Sequence, residues 1–386
     1  MYNINEGFYQ DVNDLVTLAT GGTITGIIDY NSFVDAGRSI LALTDFDDFR
    51  NVFASALANK VQLSIDIARN YEGRYKRLTR GRLPANGIIE VITHAWLNAL
   101  DPQFAVLTDG ESVDMYEIMK PQQNADYYLE SNPIQYGVTI QETELRGAFR
   151  SPDAMARFLS DKIMYLMNSY ELGRERSRAA LVSSVIADLD ENATAATTMY
   201  TPAMKYPLLT LYNNLTNANL TEVNALINEQ FVRFAASVMR QVSGKLMNAS
   251  SSYNRAGQRT FTRDTEAEKL TFVNSAFVAA MAAYIRPYPG DTSYAVIPDG
   301  YEEVSYWQDE KNPLTVTYKD ASEKSATSAP VLALITDVYA MGEYVEHEAV
   351  RTTPFNARGE YFNEFVNGQF KYIRVPACNT VMFTLS

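Results

Sequence analysis

The sequence of 386 residues has a single cysteine and only two histidines. With Cys378 alone, no disulfide can form within the chain. With only His94 and His347, most zinc sites and most histidine-dependent catalytic arrangements are excluded. Cys378 lies in the apolar run VPACNTVMF, which predicts an unreactive core residue. We therefore expect no catalytic residue, no metal site and no cofactor.

Long apolar segments and an excess of basic residues are also missing. No apolar run approaches the roughly 20 residues that span a bilayer. The first residues, MYNINEGFYQDVNDL, lack the basic and then apolar pattern of a signal peptide. We expect a cytosolic product without membrane contact. The net charge of −13 argues against a surface that binds nucleic acid throughout, although an acidic surface can enclose DNA without adhering to it.

Large flexible and aromatic side chains are abundant, with 25 tyrosines, 18 phenylalanines and 13 methionines. Tyrosine and methionine are enriched where subunits meet. The composition therefore favours a chain that associates with other chains, and the alternative is a tyrosine-rich core in a monomer.

The most regular pattern covers residues 151–189 and predicts one long amphipathic helix. Ser151 is suited to cap the first turn, Pro152 to take the first helical position, and Asp153 to face the positive end of the helix dipole. Apolar residues recur at helical spacing on both sides of the charged segment GRERSR. Unbroken, these residues would form a rod of roughly 58 Å. A break at Gly173 would shorten it.

Other segments give shorter predictions. The first forty residues are predicted to be loop-like, and a helix is predicted to begin at Thr44. The segments IIEVITHAW and YGVTIQETEL are strand-like, and we expect them to form a long two-stranded arm. Such an arm is barely stable alone, so a neighbouring subunit is its natural support.

The second half of the chain is predicted to contain a strongly amphipathic helix at 221–246, whose apolar face includes Val223 and Ile227, and a helix at 264–284, followed by strands. The last segment, QFKYIRVPACNTVMFTLS, is predicted to be one long strand. Glu343, Glu346, His347 and Glu348 could ligate a metal ion on paper. We expect a solvated rim there instead.

Charge changes sign along the first third of the chain. Residues 60–82 contain seven basic and two acidic side chains, whereas residues 83–146 contain ten acidic and two basic ones. We expect the basic run of one subunit to contact the acidic run of the next, or alternatively to be solvated or to touch DNA. The predicted contact residues are Arg74, Lys76, Arg77, Arg80, Arg82, Asp109, Glu111, Asp114 and Glu117.

The segment LATGGTITG resembles the nucleophile segment of bacterial-type asparaginases, in which Thr20 would attack an amide carbon. The second signature of that family requires a Thr-Asp pair, and the nearest segment here reads VITHAWLN. A threonine-dependent amidohydrolase is therefore the less favoured alternative.

Taken in order, the parts resemble the major capsid protein of tailed phages with the Hong Kong 97 fold, most closely the phi 29-type podovirus branch. The resemblance covers nearly the whole chain. It is carried by LVTLATGG, FRNVFASALANKV, RYKRLTRGRLPANGIIEVI, the helix at 151–189 and the segment from VEHEAVRTTPFNARGEYFNEF to the end. An encapsulin, a nanocompartment shell of the same fold, is the alternative among structural proteins.

The resemblance implies an α+β fold of four regions. These are an N-terminal arm at 1–82, an extended loop at 83–147, a peripheral domain with the spine helix at 148–199 and 345–386, and an axial domain at 200–344. It also implies a virion protein that assembles in the bacterial host cytoplasm into an icosahedral or prolate head shell of pentamers and hexamers. The implied partners are other copies of the chain, a separate scaffolding protein, a portal protein and packaged double-stranded DNA held non-specifically at the inner face.

Overall fold

The computed structural model describes residues 6–43, 49–50, 52–53, 73–84, 87–95, 116, 118, 120, 123–255, 262–284 and 300–386. Two compact units divide the chain. The first comprises the described residues of Met1–Gly87, Glu130–Ser177 and Tyr344–Lys371, and the second those of Ile88–Leu129, Arg178–Glu343 and Tyr372–Ser386. The four regions predicted from the sequence stay a prediction.

Two helices, α1 (Glu6–Ala19) and α2 (Tyr30–Leu41), form the N-terminal segment, so the loop-like prediction for the first forty residues is wrong. In α1, Phe8, Val12 and Val16 recur every four residues and are all buried. Helix α2 begins with a capping box, in which Asp29 accepts a hydrogen bond from the Ser32 amide. Gly21 and Gly22 follow the end of α1 and do not form part of an extended loop.

The long helix is confirmed and contains one irregular turn. Helix α3 (Glu142–Ala148) precedes α4 (Pro152–Leu159), a π-helical turn follows at Ser160–Met164, and α5 continues over Tyr165–Asn192. The predicted cap is present, since the Ser151 hydroxyl accepts a hydrogen bond from the Ala154 amide at 3.2 Å. The helix does not break at Gly173.

A four-stranded sheet in the order β1-β11-β12-β4 is formed by β1 (Thr79–Arg82), β4 (Asn132–Gln141), β11 (Met341–Thr352) and β12 (Tyr361–Arg374). Strand β4 pairs antiparallel with β12 from Gln141 and Tyr361 to Asn132 and Phe370. The predicted strand YGVTIQETEL is confirmed only as far as Gln141, because Glu142–Leu145 begin α3, and the partner of the strand lies near the end of the chain. The predicted two-stranded arm of IIEVITHAW and YGVTIQETEL is therefore wrong, because the two strands pair with other partners.

A five-stranded sheet in the order β5-β13-β10-β6-β7 forms the centre of the second unit. Every residue of its inner strands is buried, including polar residues such as Lys269 and Asn274. Because β12 ends at Arg374 and β13 begins at Thr380, the last segment forms two strands in different sheets, not the single strand predicted. The strands are β5 (Lys205–Pro207), β6 (Lys269–Asn274), β7 (Glu302–Val304), β10 (Val331–Asp337) and β13 (Thr380–Thr384).

The helices α6 (Leu208–Thr216), α7 (Glu222–Ala225), α8 (Glu229–Lys245) and α9 (Ser275–Tyr284) also belong to the second unit. Side chains such as Phe231, Phe277 and Phe383 share one hydrophobic core in it. The helix predicted at 221–246 is interrupted after Ala225, and α8 begins anew with the Asn228 side chain as its cap. The helix predicted at 264–284 is correct only from Ser275, because the preceding residues form β6.

Two smaller antiparallel sheets complete the described structure. One pairs β2 (Ile89–His94) with β3 (Gln123–Tyr128), and the other pairs β8 (Thr317–Lys319) with β9 (Ser325–Thr327). None of the described helices combines the length and the apolarity that crossing a bilayer requires.

Candidate assembly interface

The basic segment predicted to contact another subunit lies at an edge of the four-stranded sheet. A 3₁₀ turn at Lys76–Leu78 leads into β1, and the fully buried Leu78 anchors this turn. Lys76, Arg77 and Arg82 are exposed, and Arg74 and Arg80 are half-buried. Cationic side chains on an edge strand discourage indiscriminate strand pairing.

Arg82 has an acceptor within the first unit. Its Nη2 lies 3.5 Å from Oε2 of Glu348, a nearly buried side chain, although Arg82 itself is largely exposed. A pair with one exposed partner contributes at most about 1 kcal/mol, so Arg82 keeps the freedom to exchange partners. The acidic residues predicted to face this segment, Asp109, Glu111, Asp114 and Glu117, lie outside the described residues.

The ribbon of β2 and β3 has apolar side chains on both faces. Ile89 pairs with Tyr128 and Thr93 with Asn124. One face carries Ile89, Val91 and Tyr128, is half-buried, and is held to the second unit by the Tyr128 hydroxyl, which donates to the Arg374 carbonyl. The opposite face is exposed to solvent and carries Ile88, Ile92, Tyr127 and Leu129. We call these four residues the outer ribbon face.

The outer ribbon face is ordered by a cross-strand contact. The Tyr127 hydroxyl donates a hydrogen bond of 2.8 Å to Oε1 of Glu90. This bond and the negative charge of Glu90 both raise the pKa of Tyr127. Exposed apolar residues gathered on one face of a narrow ribbon are typical of a surface that another protein covers.

The sequence did not lead us to predict that arginines of the charged segment GRERSR in the spine helix are buried. Arg174 and Arg178 are fully buried. Arg178 donates to Oε2 of Glu343 through Nε at 3.0 Å and Nη2 at 2.8 Å, and Arg174 lies 3.6 Å from Glu348. The solvated rim predicted at 343–348 is therefore wrong for Glu343 and Glu348. The sequence does contain a signal for the burial of the two arginines. Arg174 and Arg178 follow Tyr170 at four-residue spacing and therefore continue the apolar face of the helix.

Thr20, the nucleophile of the amidohydrolase alternative, closes the end of α1. Its hydroxyl donates to the Val16 carbonyl at 2.8 Å and accepts from the Ile24 amide at 3.2 Å. Gly21 and Gly22 have φ angles of 59° and 85°, which suit glycine and end the helix. The preceding VTL segment is helical, not the strand that the catalytic interpretation required. Among the described residues, no three His, Cys, Asp or Glu side chains form a metal-binding group.

Comparison with known proteins decides what kind of surface this is. A model of the family described as Phi29-like phage major capsid protein matches residues 34–384. The chain belongs to this family. It is therefore a phage major capsid protein, a structural protein of the virion that associates with copies of itself in an oligomeric shell. Its functional surfaces are those between subunits.

Solved structures agree in fold. A chain of the Staphylococcus phage Andhra capsid structure is 10% identical with a TM-score of 0.53, and the match covers 83% of this chain and 86% of that one. A chain from the structure of the head fiber and inner core protein gp22 of native bacteriophage P68 is 9% identical with a TM-score of 0.50, covering 81% and 85%. The predicted α+β capsid fold of the Hong Kong 97 type is confirmed. No curated protein matches the sequence.

Proposed function

We propose that this capsid protein builds the icosahedral or prolate head shell of a phi 29-type podovirus around double-stranded DNA. The observation that carries the proposal is the family match, which extends from residue 34 in the second helix to residue 384 in the last strand. In this shell, pentamers and hexamers of the chain assemble with a separate scaffolding protein and a portal protein in the bacterial host cytoplasm.

Within the shell, the regions take the roles that the resemblance implies. Residues 1–82 act as the N-terminal arm, 83–147 as the extended loop, 148–199 and 345–386 as the peripheral domain, and 200–344 as the axial domain. Strands β2 and β3 lie in the extended loop, and their separate two-stranded sheet supports its assignment as a projecting hairpin.

The outer ribbon face rests on a neighbouring subunit. A two-stranded ribbon is only marginally stable by itself, and one face of this ribbon already packs on its own chain. Covering Ile88, Ile92, Tyr127 and Leu129 removes apolar surface from water at roughly 25 cal/mol per Å². Burial of this face therefore favours assembly over the separate subunit.

The basic segment at 74–82 contacts the acidic run of an adjacent subunit, including Asp109, Glu111, Asp114 and Glu117. Single exposed ion pairs contribute only about 0–1 kcal/mol, so the effect depends on several pairs acting together. Such contacts weaken with salt, because the Debye length falls from about 10 Å at 0.1 M to about 3 Å at 1 M.

DNA is held at the inner face without strong adhesion. With a net charge of −13, the chain repels a polyanion over most of its surface, which lets packaged DNA move. An encapsulin-like shell would contain protein cargo and no genome.

Expression with the scaffolding protein of its own phage tests the proposal. We expect closed shells of uniform size in negative-stain electron micrographs, and nuclease-protected double-stranded DNA in the mature particles purified from infected cells. Particles that hold protein cargo and no DNA would support the encapsulin alternative. A chain that stays a small oligomer with its scaffold present would contradict the proposal.

A further inference from the structure

A surface of the second unit, separate from the ribbon and the basic segment, carries exposed apolar residues. Val223 in α7 is 82% exposed, and Ile227, four residues later, is 68% exposed. Val223 lies in the short helix α7, and Ile227 lies in the turn that follows it. Their helical period predicted core positions, so their exposure needs an explanation.

The chain around these residues is firmly held. The Asn213 side chain bonds both the amide and the carbonyl of Leu220, at 3.1 and 3.0 Å. The Tyr284 hydroxyl donates to the Ile227 carbonyl at 2.9 Å. Ala225 is fully buried, and Leu226 packs on the core. The exposure of Val223 and Ile227 is therefore a feature of an ordered surface and not of a frayed end.

The same segment has almost no charge. With 20% charged residues, 21 residues of this chain would contain about four, yet residues 208–228 contain only Glu222. Six asparagines supply most of the polar groups in this segment. Interface centres are depleted of charge in the same way. We call residues 208–228 the uncharged segment.

The absence of charge indicates which partner fits. Where identical subunits meet around a symmetry axis, each side chain close to the axis approaches its own copies, so any charge there would be repelled by an equal one. Glu222, which is exposed, is the single charge of the segment, so copies of a chain with a net charge of −13 can approach one another here at a lower cost than at a surface of average charge. Phosphate binding does not fit, because the uncharged segment contains no lysine or arginine.

We propose that the uncharged segment, with Val223 and Ile227 at its centre, contacts the uncharged segment of a second copy of this chain. This contact rests on the proposed function, because rings of identical subunits bring these surfaces together. It adds an apolar contact to the shell that is distinct from the ribbon and from the ion pairs of the basic segment.

Opposite charges placed at Ile227 test the contact. Ile227→Asp and Ile227→Lys, each expressed alone with the scaffolding protein, are expected to lower the yield of shells at least about ten-fold, because like charges then face each other. Thermal unfolding of the unassembled subunit should not change, since the side chain is already exposed. Co-expression of the two variants should restore the yield to within about three-fold of wild type, because aspartate then meets lysine.

Tyr339→Asp is the matched control. Tyr339 is a large exposed residue elsewhere in the second unit, and its variant should assemble normally. Wild-type yield from either Ile227 variant alone would overturn the contact. Failure of the co-expressed pair would do so as well, because it indicates that Ile227 meets a different surface, such as the scaffold. A similar loss in Tyr339→Asp would show that the effect is not specific. Failure of the wild-type chain to assemble would instead contradict the proposed function.

Discussion

At the scale of single residues, the interior of this capsid protein contains charges that its fold must neutralise. Arg174 and Arg178 are one helical turn apart and fully buried, and each has a carboxylate from β11 within 4 Å. The Arg174 guanidinium also lies 4.6 Å from the centre of the Phe370 ring. Buried pairs of this kind add little net stability but penalise any packing that leaves one partner alone. They fix how the helix and the strand meet.

Removing one partner of the Arg178–Glu343 pair should therefore destabilise the folded chain. We expect Glu343→Gln to lower the free energy of unfolding by about 3–5 kcal/mol, because it removes the buried negative charge that accepts hydrogen bonds from Nε and Nη2 of Arg178. The double variant Arg178→Met/Glu343→Leu should recover most of the loss. Urea denaturation of the unassembled subunits measures both. A double variant no more stable than Glu343→Gln would contradict this account.

Glu364 is a buried carboxyl for which no described residue supplies a hydrogen bond to either oxygen. It lies on β12 opposite Val138 of β4. Burial raises its pKa from 4.5 to about 8. The folded chain therefore keeps a proton on Glu364 that the unfolded chain loses above pH 4.5. The Glu364 contribution to stability consequently falls as the pH rises from 4.5 to about 8, by about 1.4 kcal/mol per pH unit.

Glu364→Gln should remove this pH dependence. Relative to wild type, the variant should gain stability between pH 5 and pH 8, because glutamine has no proton to lose. Denaturant unfolding of both proteins at the two pH values measures the difference. An equal stability difference at both pH values would show that Glu364 does not titrate in this range.

At the scale of elements, the spine helix is positioned by an ion pair at one residue and by close packing at another. Its π-helical turn at Ser160–Met164 holds Lys162, whose Nζ lies 2.9 Å from Oε2 of Glu144. At Gly173, an added Cβ would overlap the hydroxyl and ring of Tyr136 from β4. The close approach of Tyr136 therefore requires glycine at position 173, and Gly173 does not end the helix.

Gly173→Ala should destabilise the first unit, even though alanine favours a helix over glycine by about 1 kcal/mol. Overpacking typically costs about 1–3 kcal/mol, so we expect a net loss. Gly147→Ala in α3 is the matched control, because, outside its own turn of helix, no heavy atom of the described residues lies within 4 Å of its added Cβ. It should gain up to about 1 kcal/mol. Thermal unfolding compares the two, and equal gains would contradict the proposed contact with Tyr136.

Local patterns predicted elements better than partners. The Ser151 cap and the apolar period predicted the spine helix from its first turn, because these signals lie within the helix itself. The partner of β4 could not be predicted, since β12 lies over 200 residues away and pairing depends on the whole fold. The apolar period likewise misassigned Val223 and Ile227 to the core. The resemblance to capsid proteins supplied the fold, and burial in the structure supplied the candidate contacts.

At the scale of the whole molecule, assembly depends on surfaces that the single chain leaves exposed. The basic segment, the outer ribbon face and the uncharged segment differ in chemistry, so salt and mutation affect them differently. The ion pairs weaken at high salt, whereas the apolar contacts persist. Because assembly depends on ion pairs as well as on apolar contacts, its early stages should be sensitive to ionic strength.

Charge reversal at Lys76 and Arg77 tests the basic segment. Lys76→Glu/Arg77→Glu should impair assembly and leave the subunit folded, because both side chains are exposed and acidic partners would then be repelled. Lys319→Glu/Lys324→Glu, two exposed lysines of the β8–β9 hairpin, changes the net charge equally and should assemble normally. Particle yield by sedimentation measures both. Normal particles from the first variant would reject the proposed ionic contact.

Electron cryomicroscopy of the assembled particle is the most direct test of the central claim that this chain is a shell subunit joined through these surfaces. We expect copies of this fold around five-fold and six-fold axes, with Lys76, Arg77, Ile92 and Tyr127 covered by neighbouring subunits. A shell in which these side chains face solvent, or a particle built from another protein, would contradict it.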